Sequence, residues 1–231
     1  MSGPSILPAG DSALLVSFDT SGRIDLEINR KAHALAAALE AANLTGPLTG
    51  MGEAVPGYAT LLVHYDPLAL GFEQAAARVR ACLSNDAVAL RDPRRLEIPV
   101  IYGGEEGPDL DFVAQHSGLS AEEVVRIHAS RAYPVFLMGF TPGFPYLGGL
   151  DPAIAAPRLP TPRKRVPAGS VGIAGEQTGV YPLVSPGGWR IIGRTPLRLF
   201  DPQRDEPFLL APGDLVRFVP LVRAGAPAEG G

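Results

Sequence analysis

The spacing of apolar residues changes near residue 100, and the part of the chain before it has regular helix and strand patterns. The run Ala13–Phe18 is apolar apart from one serine and follows a Gly-Asp pair, which predicts a strand after a turn. Asp25–Ala42 is rich in alanine and places Leu35 and Leu39 four residues apart, as in an amphipathic helix. The remaining elements predicted in this part are strands at Glu53–Val55, Ala59–Tyr65 and Leu96–Ile101 and a helix at Phe72–Leu83.

The order of these elements is strand, helix, strand, strand, helix, strand. This is the split βαβ order, in which two helices cover one face of an antiparallel sheet. We therefore predict an α+β protein whose first domain, residues 1–95, is a ferredoxin-like βαββαβ unit.

Beyond residue 102 the apolar runs are short, and glycine or proline separates nearly all of them. Closely spaced short strands with such turns are typical of a small barrel rather than of a βαβ sheet. We predict a β-barrel domain at residues 96–222 and a disordered tail at residues 223–231. The barrel strands are expected at Ala132–Met138, Val171–Ala174, Gly179–Val184, Trp189–Ile192, Leu197–Phe200, Phe208–Leu210 and Leu215–Val219.

Two short helices are predicted ahead of these strands. The first covers Asp109–His116. The second opens with a capping box at Ser120 and Glu123 and runs to Ser130, since the Ser120 hydroxyl can bond the Glu123 amide while Glu123 returns the contact.

The segment 139–196 combines loop-forming residues with large aromatic ones. It contains 11 Gly and 10 Pro among 58 residues, yet it also holds Phe140, Phe144, Tyr146, Tyr181 and Trp189. Disordered segments have few aromatic residues, so we predict folded loops here. Six basic residues stand against two acidic ones in this segment, whereas the whole chain has a formal net charge of −4. A rigid cationic surface on an acidic protein favours a small anionic ligand.

Composition narrows the functional classes further. The single Cys82 cannot form an intramolecular disulfide, which favours a reducing compartment, and its apolar neighbours predict a packing role. The stretch Met1–Pro8 lacks the pattern of a secretory leader, and no run approaches the ~20 apolar residues of a membrane span. We expect a cytoplasmic protein that binds neither membrane nor nucleic acid.

Three long motifs carry a resemblance to a known family. They are FLMGFTPGFPYLGGL at 136–150, TPRKRVPAGSVGIAGEQTGVYPLVSPGGWRIIGRTPLRLFDP at 161–202 and PGDLVRFVP at 212–220. With these motifs the chain resembles the family of 5-oxoprolinase B subunits, which is also called allophanate hydrolase subunit 1 and includes a sporulation-kinase inhibitor. The resemblance extends upstream through 98–130 and more loosely to Gly10.

This resemblance implies a ferredoxin-like domain followed by a cyclophilin-like β-barrel. It also implies that the chain acts with a homologous C-type subunit and a third subunit. Together they would open the lactam of 5-oxoproline to glutamate with ATP and Mg²⁺, the metal being liganded largely by other subunits. Similar sequences form part of the carboxyltransferase domain, of the subdomain C and D type, in urea carboxylase.

Candidate site residues follow from the cationic loops and from the matched positions. Arg163 and Arg165 lie in a loop restricted by prolines, and Arg194 and Thr195 follow Gly193, where backbone can approach a ligand closely. Guanidinium groups suit carboxylate or phosphate. We expect the three arginines to converge on one anion; the alternative is a solvated or ion-pairing patch. The candidates are His128, Arg165 and Arg194 for catalysis and Arg163, Gln177, Thr178, Tyr181 and Thr195 for substrate or anion binding.

His128 has a plain alternative, because a hydrogen-bonded structural histidine explains its position as well as catalysis does. The four histidines lack i, i+4 spacing and there is no cysteine cluster, so we expect no metal site. Ser170 lies in Ala-Gly-Ser-Val-Gly, which lacks the first glycine of a nucleophile elbow. The Tyr102–Gly107 turn lacks the ending of a phosphate-binding loop.

Partner contact is expected at Phe140, Phe144 and Tyr146, since these aromatics stand beside prolines that limit the ordering cost of binding. Because the sequence has neither a phosphate loop nor a metal cluster, the chain alone is expected to be inactive. Two other functions stay open. One is a regulatory module that inhibits a histidine kinase, and the other is half of a carboxyltransferase that would need a separate biotin carrier.

Overall fold

The structure of the protein is a computed structural model that describes residues 3–21, 24–44, 49–83 and 93–221. The chain divides into two compact units, Met1–Asp92 and Pro93–Gly231, called here the N-terminal and C-terminal units. The expected division at residues 95 and 96 is three residues further along the chain. The expected tail at 223–231 lies outside the described residues.

The N-terminal unit is one antiparallel sheet with two helices. Its strands run in the order β1-β2-β4-β3, and the central pair is in register with Leu15 opposite Leu62. Alternating residues such as Leu14 and Val16 are buried, as expected for a sheet with one covered face. The elements are β1 Ser5–Pro8, β2 Ala13–Ser17, α1 Leu26–Leu44, β3 Met51–Pro56, β4 Thr60–Tyr65 and α2 Phe72–Leu83.

Both helices were predicted nearly to the residue, and each buries an apolar stripe in the core of this unit. Leu35 and Leu39 of α1 and Val79 of α2 pack in one cluster with the sheet. Cys82 packs against the same cluster, and burial raises the pKa of its thiol. This agrees with the predicted packing role. Among the described residues, no helix is both long enough and apolar enough to cross a membrane.

The predicted βαββαβ order needs a correction at both ends. The strand expected at Leu96–Ile101 to complete the ferredoxin-like unit is part of β5 Arg95–Tyr102, which belongs to the C-terminal unit. There β5 makes six register pairs with β13 Leu215–Pro220, and these pairs outweigh its closeness in sequence to α2. The edge beside β2 is filled instead by β1, which pattern reading missed because it has only four residues.

The C-terminal unit is a closed seven-stranded barrel, as the spacing of short apolar runs predicted. Its strand order is β10-β7-β6-β13-β5-β12-β9, and β5 pairs with β13 in parallel whereas the other pairs are antiparallel. The remaining elements are α3 Leu110–Ser117, α4 Ala121–Ala129, β6 Ala132–Met138, β7 Pro145–Leu147, β8 Arg163–Val166, β9 Ser170–Ala174, β10 Gln177–Val180, β11 Ser185–Gly187, β12 Arg190–Arg194 and β13 Leu215–Pro220.

Helices α3 and α4 pack against this barrel through the same apolar core. Val113 and Val124 are fully buried beside barrel residues such as Ile98 and Val216. The capping box predicted for α4 is present, with the Ser120 hydroxyl accepting from the Glu123 amide and Glu123 accepting in return. These bonds hold the pKa of the Glu123 carboxyl below its ordinary value.

Two predicted barrel strands are wrong. Leu197–Phe200 and Phe208–Leu210 contribute only an isolated bridge between Phe200 and Phe208, because proline and charged residues interrupt any longer ladder. Three short strands were missed, namely β7, β8 and β11. Strands β8 and β11 form a separate two-stranded sheet.

Candidate functional site

An aromatic cavity of about 320 Å³ opens on the C-terminal unit. Tyr146 reaches it from β7 and Phe144 from just before that strand, while Tyr181 follows β10 and Trp189 precedes β12. The Phe144 ring meets the Tyr146, Tyr181 and Trp189 rings edge to face, with centroids 5.0, 5.2 and 5.5 Å apart. Such contacts fix each ring against its neighbour. The cavity walls are therefore rigid before any ligand arrives.

The rim of the aromatic cavity is formed by Phe140, Arg158, Pro162, Pro186, Gly187 and Gly188. Phe140 has φ +65°, which no other non-glycine residue of the described chain shares, and its side chain is 61% exposed. A bulky residue in the left-handed region costs free energy and is found where the surrounding chain enforces it. At Gly187 an added Cβ would lie 2.4 Å from the Tyr181 hydroxyl, so the glycine leaves room for that ring.

A second cavity, of about 530 Å³, borders the segment 182–184 and is called here the arginine cavity. Two of the candidate residues, Arg194 and Thr195, lie together in its wall. Arg194 Nη1 is 3.3 Å from the Glu106 carboxylate, and Arg194 Nε donates to the Ala168 carbonyl at 2.9 Å. The other lining residues include Ile101, Leu183, Val184, Leu197 and Arg198.

The backbone of the arginine cavity is fixed by two glycines in close contact with protein. Gly169 has φ +84°, and an added Cβ would lie 2.3 Å from the Thr195 carbonyl. At Gly193 a Cβ would lie 2.6 Å from Val100 Cγ1 and 2.8 Å from the Ile101 carbonyl. The space that a side chain at position 193 would need is thus filled by β5, so Gly193 permits the close approach of that strand.

Arg163 and Arg165 do not meet Arg194 at one ion in the way expected. Arg163 Nη2 donates to Asp109 at 2.8 Å, and the second Asp109 oxygen accepts from the Ile191 amide at 2.6 Å. Arg163 thus pairs with an acidic residue of the chain itself, as Arg194 does. Arg165 is exposed and lines neither cavity. The ion-pairing alternative describes Arg163 and Arg194 better than a shared anion does.

His128 of α4 is fully buried and takes part in a chain of hydrogen bonds with residues of two barrel strands. Its Nδ1 is 2.8 Å from the Tyr102 hydroxyl and its Nε2 is 2.9 Å from Thr178 Oγ1. Thr178 Oγ1 donates to the Gly172 carbonyl, which can only accept, so Nε2 donates to Thr178 and Nδ1 accepts from Tyr102. Burial lowers the pKa of His128 to about 3, which keeps the ring neutral.

The same surroundings weigh against catalysis by His128. Its ring stacks on Phe218 with centroids 4.5 Å apart, and Thr178 is also fully buried. Burial raises the pKa of the Tyr102 hydroxyl well above its ordinary value. These three uncharged residues therefore form a hydrogen-bonded link between α4 and strands of the barrel. This arrangement agrees with the alternative in which His128 has a structural role rather than a catalytic one.

The remaining candidates fall into different surroundings. Tyr181 lines the aromatic cavity and is almost fully buried, whereas Gln177 begins β10 and is partly buried. Thr195 is buried, and its hydroxyl accepts from the Leu197 amide at 3.2 Å. The structure does not bring these candidates into one cluster.

The expected interface aromatics differ in exposure. Phe144 is only 2% exposed and belongs to a buried cluster, so the expectation that it lies on the surface is wrong. The left-handed Gly143, packed against Phe200, turns the chain so that Phe144 points inward. Phe140 is exposed and Tyr146 is partly buried.

Three charged residues near the cavities were not among the site residues predicted from the sequence. Glu106 and Asp109 hold the arginines, and Arg158 stands at the rim of the aromatic cavity. Glu106 and Asp109 could have been noticed in the acidic stretch Tyr102–Asp109, which follows a predicted strand. In sequence, however, this stretch has the pattern of a plain turn. Its pairing with Arg194 depends on β5 lying beside β12.

Comparison with known proteins gives a consistent result. The family described as carboxyltransferase domain, subdomain C and D, matches residues 4–210. The 5-oxoprolinase B subunit of Bacillus subtilis (strain 168) is 46% identical over 221 residues, which covers 91% of this chain and 90% of that protein. The likeness therefore extends over both units.

Solved structures share the fold. The crystal structure of TTHA0988 is 42% identical with a TM-score of 0.77 and is matched over 91% of this chain, which spans 40% of the length of TTHA0988. The Kluyveromyces lactis urea carboxylase is 22% identical with a TM-score of 0.76, covering 95% of this chain and 22% of that enzyme. At this identity the second likeness shows the fold alone.

Proposed function

Since the chain belongs to the carboxyltransferase domain, subdomain C and D, family, we propose that it is the B-type subunit of an ATP-dependent 5-oxoprolinase. In this role it would act with other subunits to open the lactam of 5-oxoproline to glutamate. The observation that carries the proposal is 46% identity to a 5-oxoprolinase B subunit along nine-tenths of both chains. The likeness to urea carboxylase, at 22% identity, is too distant to favour carboxyl transfer.

The arginine cavity does not fit a nucleotide triphosphate with its magnesium ion. Within residues 3–21, 24–44, 49–83 and 93–221, no three His, Cys, Asp or Glu side chains are grouped as ligands of a metal ion. The arginines that line the arginine cavity, Arg194 and Arg198, are both paired with carboxylates of the chain. We assign ATP binding to another subunit, and this chain is inactive alone.

Partner contact is assigned to the rim of the arginine cavity. Leu183, Val184 and Leu197 are 36%, 49% and 36% exposed, and apolar groups clustered in this way mark interaction sites on soluble proteins. The Glu106–Arg194 pair lies in the same wall. A homologous C-type subunit is the proposed partner, together with a third subunit, and the complex works in the cytoplasm.

Deleting the gene in the organism that encodes the chain tests this function. Cells that lack it should accumulate 5-oxoproline and fail to use it as a nitrogen source, and the intact gene should restore both. Measuring urea and allophanate consumption in the same cells separates the two substrate classes. Unchanged 5-oxoproline consumption in the deletion strain would contradict the proposal.

A further inference from the structure

The aromatic cavity has the features of a small-molecule site. Binding pockets are concave and mostly apolar, and they contain a few polar groups that orient the ligand. Here Phe144, Tyr146, Tyr181 and Trp189 form the walls. With about 320 Å³, the cavity lies at the lower end of the range for ligand pockets, so it suits a molecule of few heavy atoms.

Arg158 supplies the charge of this cavity. Its guanidinium makes no ion pair or hydrogen bond within the described part of the chain, in contrast to Arg163, Arg190 and Arg194. Arg158 is exposed and lines the cavity together with Tyr181. Burial raises the pKa of the Tyr181 hydroxyl, and the charges of Arg158 and Arg163 act on it in the opposite direction. An unpaired guanidinium beside an apolar cavity fits a carboxylate.

We propose that the aromatic cavity binds 5-oxoproline itself, with the five-membered lactam ring against the aromatic walls and the carboxylate on Arg158. This assignment rests on the proposed function, which supplies a substrate that is a small ring with one carboxylate. Edge-to-face packing already orders the walls, so little conformational entropy is lost on binding.

Other ligand classes fit the cavity less well. Aromatic cages bind organic cations by cation–π attraction, but Arg158 would repel a cation here. A nucleotide could stack its base on the aromatic rings, yet its several phosphate charges would meet one unpaired arginine. A ring with a single carboxylate matches both the volume and the charge.

The cavity contains its own reporter, because Trp189 is the single tryptophan of the chain. The experiment titrates the full-length chain with L-5-oxoproline and follows tryptophan fluorescence. The wild type should give a saturable change. Arg158→Gln should weaken binding roughly ten- to hundredfold, as expected for the loss of one charge-assisted contact. The matched control is Arg217→Gln, which should leave binding unchanged. Arg217 is an exposed residue of β13 that lines neither cavity.

A second ligand separates the carboxylate contact from any general effect of the substitution. 2-Pyrrolidinone has the lactam ring without the carboxylate, so it should bind the wild type more weakly than L-5-oxoproline does. Arg158→Gln should then change its affinity less than about twofold, since the two changes remove the same contact.

Three results would overturn the inference. They are no saturable tryptophan response in the wild type, equal L-5-oxoproline affinity in the wild type and Arg158→Gln, or a response to ATP alone. Turnover of L-5-oxoproline by the chain mixed with its partner subunits is measured in parallel. If turnover occurs without binding at Trp189, the cavity assignment fails while the proposed function stands. If the mixture has no turnover at all, the proposed function fails.

Discussion

Gly169 links the backbone of the arginine cavity to the barrel, and its positive φ disfavours a residue with a side chain at this position. Its amide donates to the Tyr181 carbonyl and its carbonyl accepts from the Thr195 amide. We predict that Gly169→Ala destabilises the protein by more than about 2 kcal/mol, because strain from the positive φ adds to the clash with Thr195. Urea unfolding of the purified variant measures this.

The matched control is Gly175→Ala. Gly175 has φ +56°, but an added Cβ would meet nothing within 4 Å. Its cost should stay at about 1–2 kcal/mol, the strain of the left-handed conformation alone. Equal costs at the two glycines would show that the contact with Thr195 is not what constrains Gly169.

His128 gives the protein an acid-sensitive core. Its pKa falls from 6.5 to about 3 on folding, so the unfolded chain binds a proton between these values and the folded chain does not. Stability should therefore fall as the pH drops below about 6.5, by about 1.4 kcal/mol per pH unit at most. His128→Gln should lower stability at pH 7 and reduce this slope. Urea unfolding of both proteins from pH 7 to pH 4 measures the difference.

The outcome that would contradict a buried neutral His128 is an equal pH slope in the two proteins. A second variant, Thr178→Val, tests the hydrogen bond between His128 Nε2 and the Thr178 hydroxyl. It leaves Nε2 without its acceptor and should cost about 1–3 kcal/mol at pH 7.

At the residue scale, sequence reasoning found the charged groups but not their partners. Proline-restricted loops and glycines identified Arg163 and Arg194 as fixed cations. Their carboxylates, on Asp109 and Glu106, lie 54 and 88 residues away in sequence. Contacts of that separation depend on which strands pair, and no local pattern contains that information.

At the element scale, apolar patterning predicted helices and long strands well. It located α1, α2 and β6 and the capping box of α4. It missed β7, β8 and β11, since three or four residues containing proline or charge have no readable alternation. It also placed β5 in the wrong sheet, because an apolar run predicts burial and does not say which strand lies beside it.

The position of β5 gives a test at this scale. A fragment covering residues 93–221 retains the barrel strands and their apolar core, so we predict cooperative urea unfolding and a sheet-type circular dichroism spectrum. A fragment that starts at residue 103 lacks β5, which leaves the facing edges of β12 and β13 unpaired. It should be unfolded or aggregate. Cooperative folding of the shorter fragment would mean that β5 is dispensable for the barrel.

At the scale of the whole molecule, the proposed partner surface can be tested by charge. We predict that Val184→Asp weakens association with the C-type subunit about tenfold or more. Val184 is 49% exposed in the free chain but would be covered in the proposed complex, where water could no longer solvate a carboxylate. Leu68→Asp is the control, because Leu68 is 96% exposed and does not line the arginine cavity. Co-purification and calorimetry measure both. Equal retention of the partner by both variants would place the interface elsewhere.

The family resemblance and the barrel could be predicted from sequence because they depend on long motifs and on the spacing of short strands. The aromatic cavity could not, since Arg158, Tyr181 and Trp189 come from separate segments that meet only when the fold forms. The sequence supplied the aromatic residues and the basic charge of that region, and the fold decides which of them share a cavity.

The central claim is that this chain is a working subunit of a 5-oxoprolinase, and reconstitution tests it most directly. The purified chain is mixed with the C-type and third subunits of its own organism, L-5-oxoproline and Mg²⁺-ATP, and glutamate release is measured. We predict release that requires ATP and every subunit, with none from this chain alone. Glutamate release at an undiminished rate when this chain is left out would contradict the account.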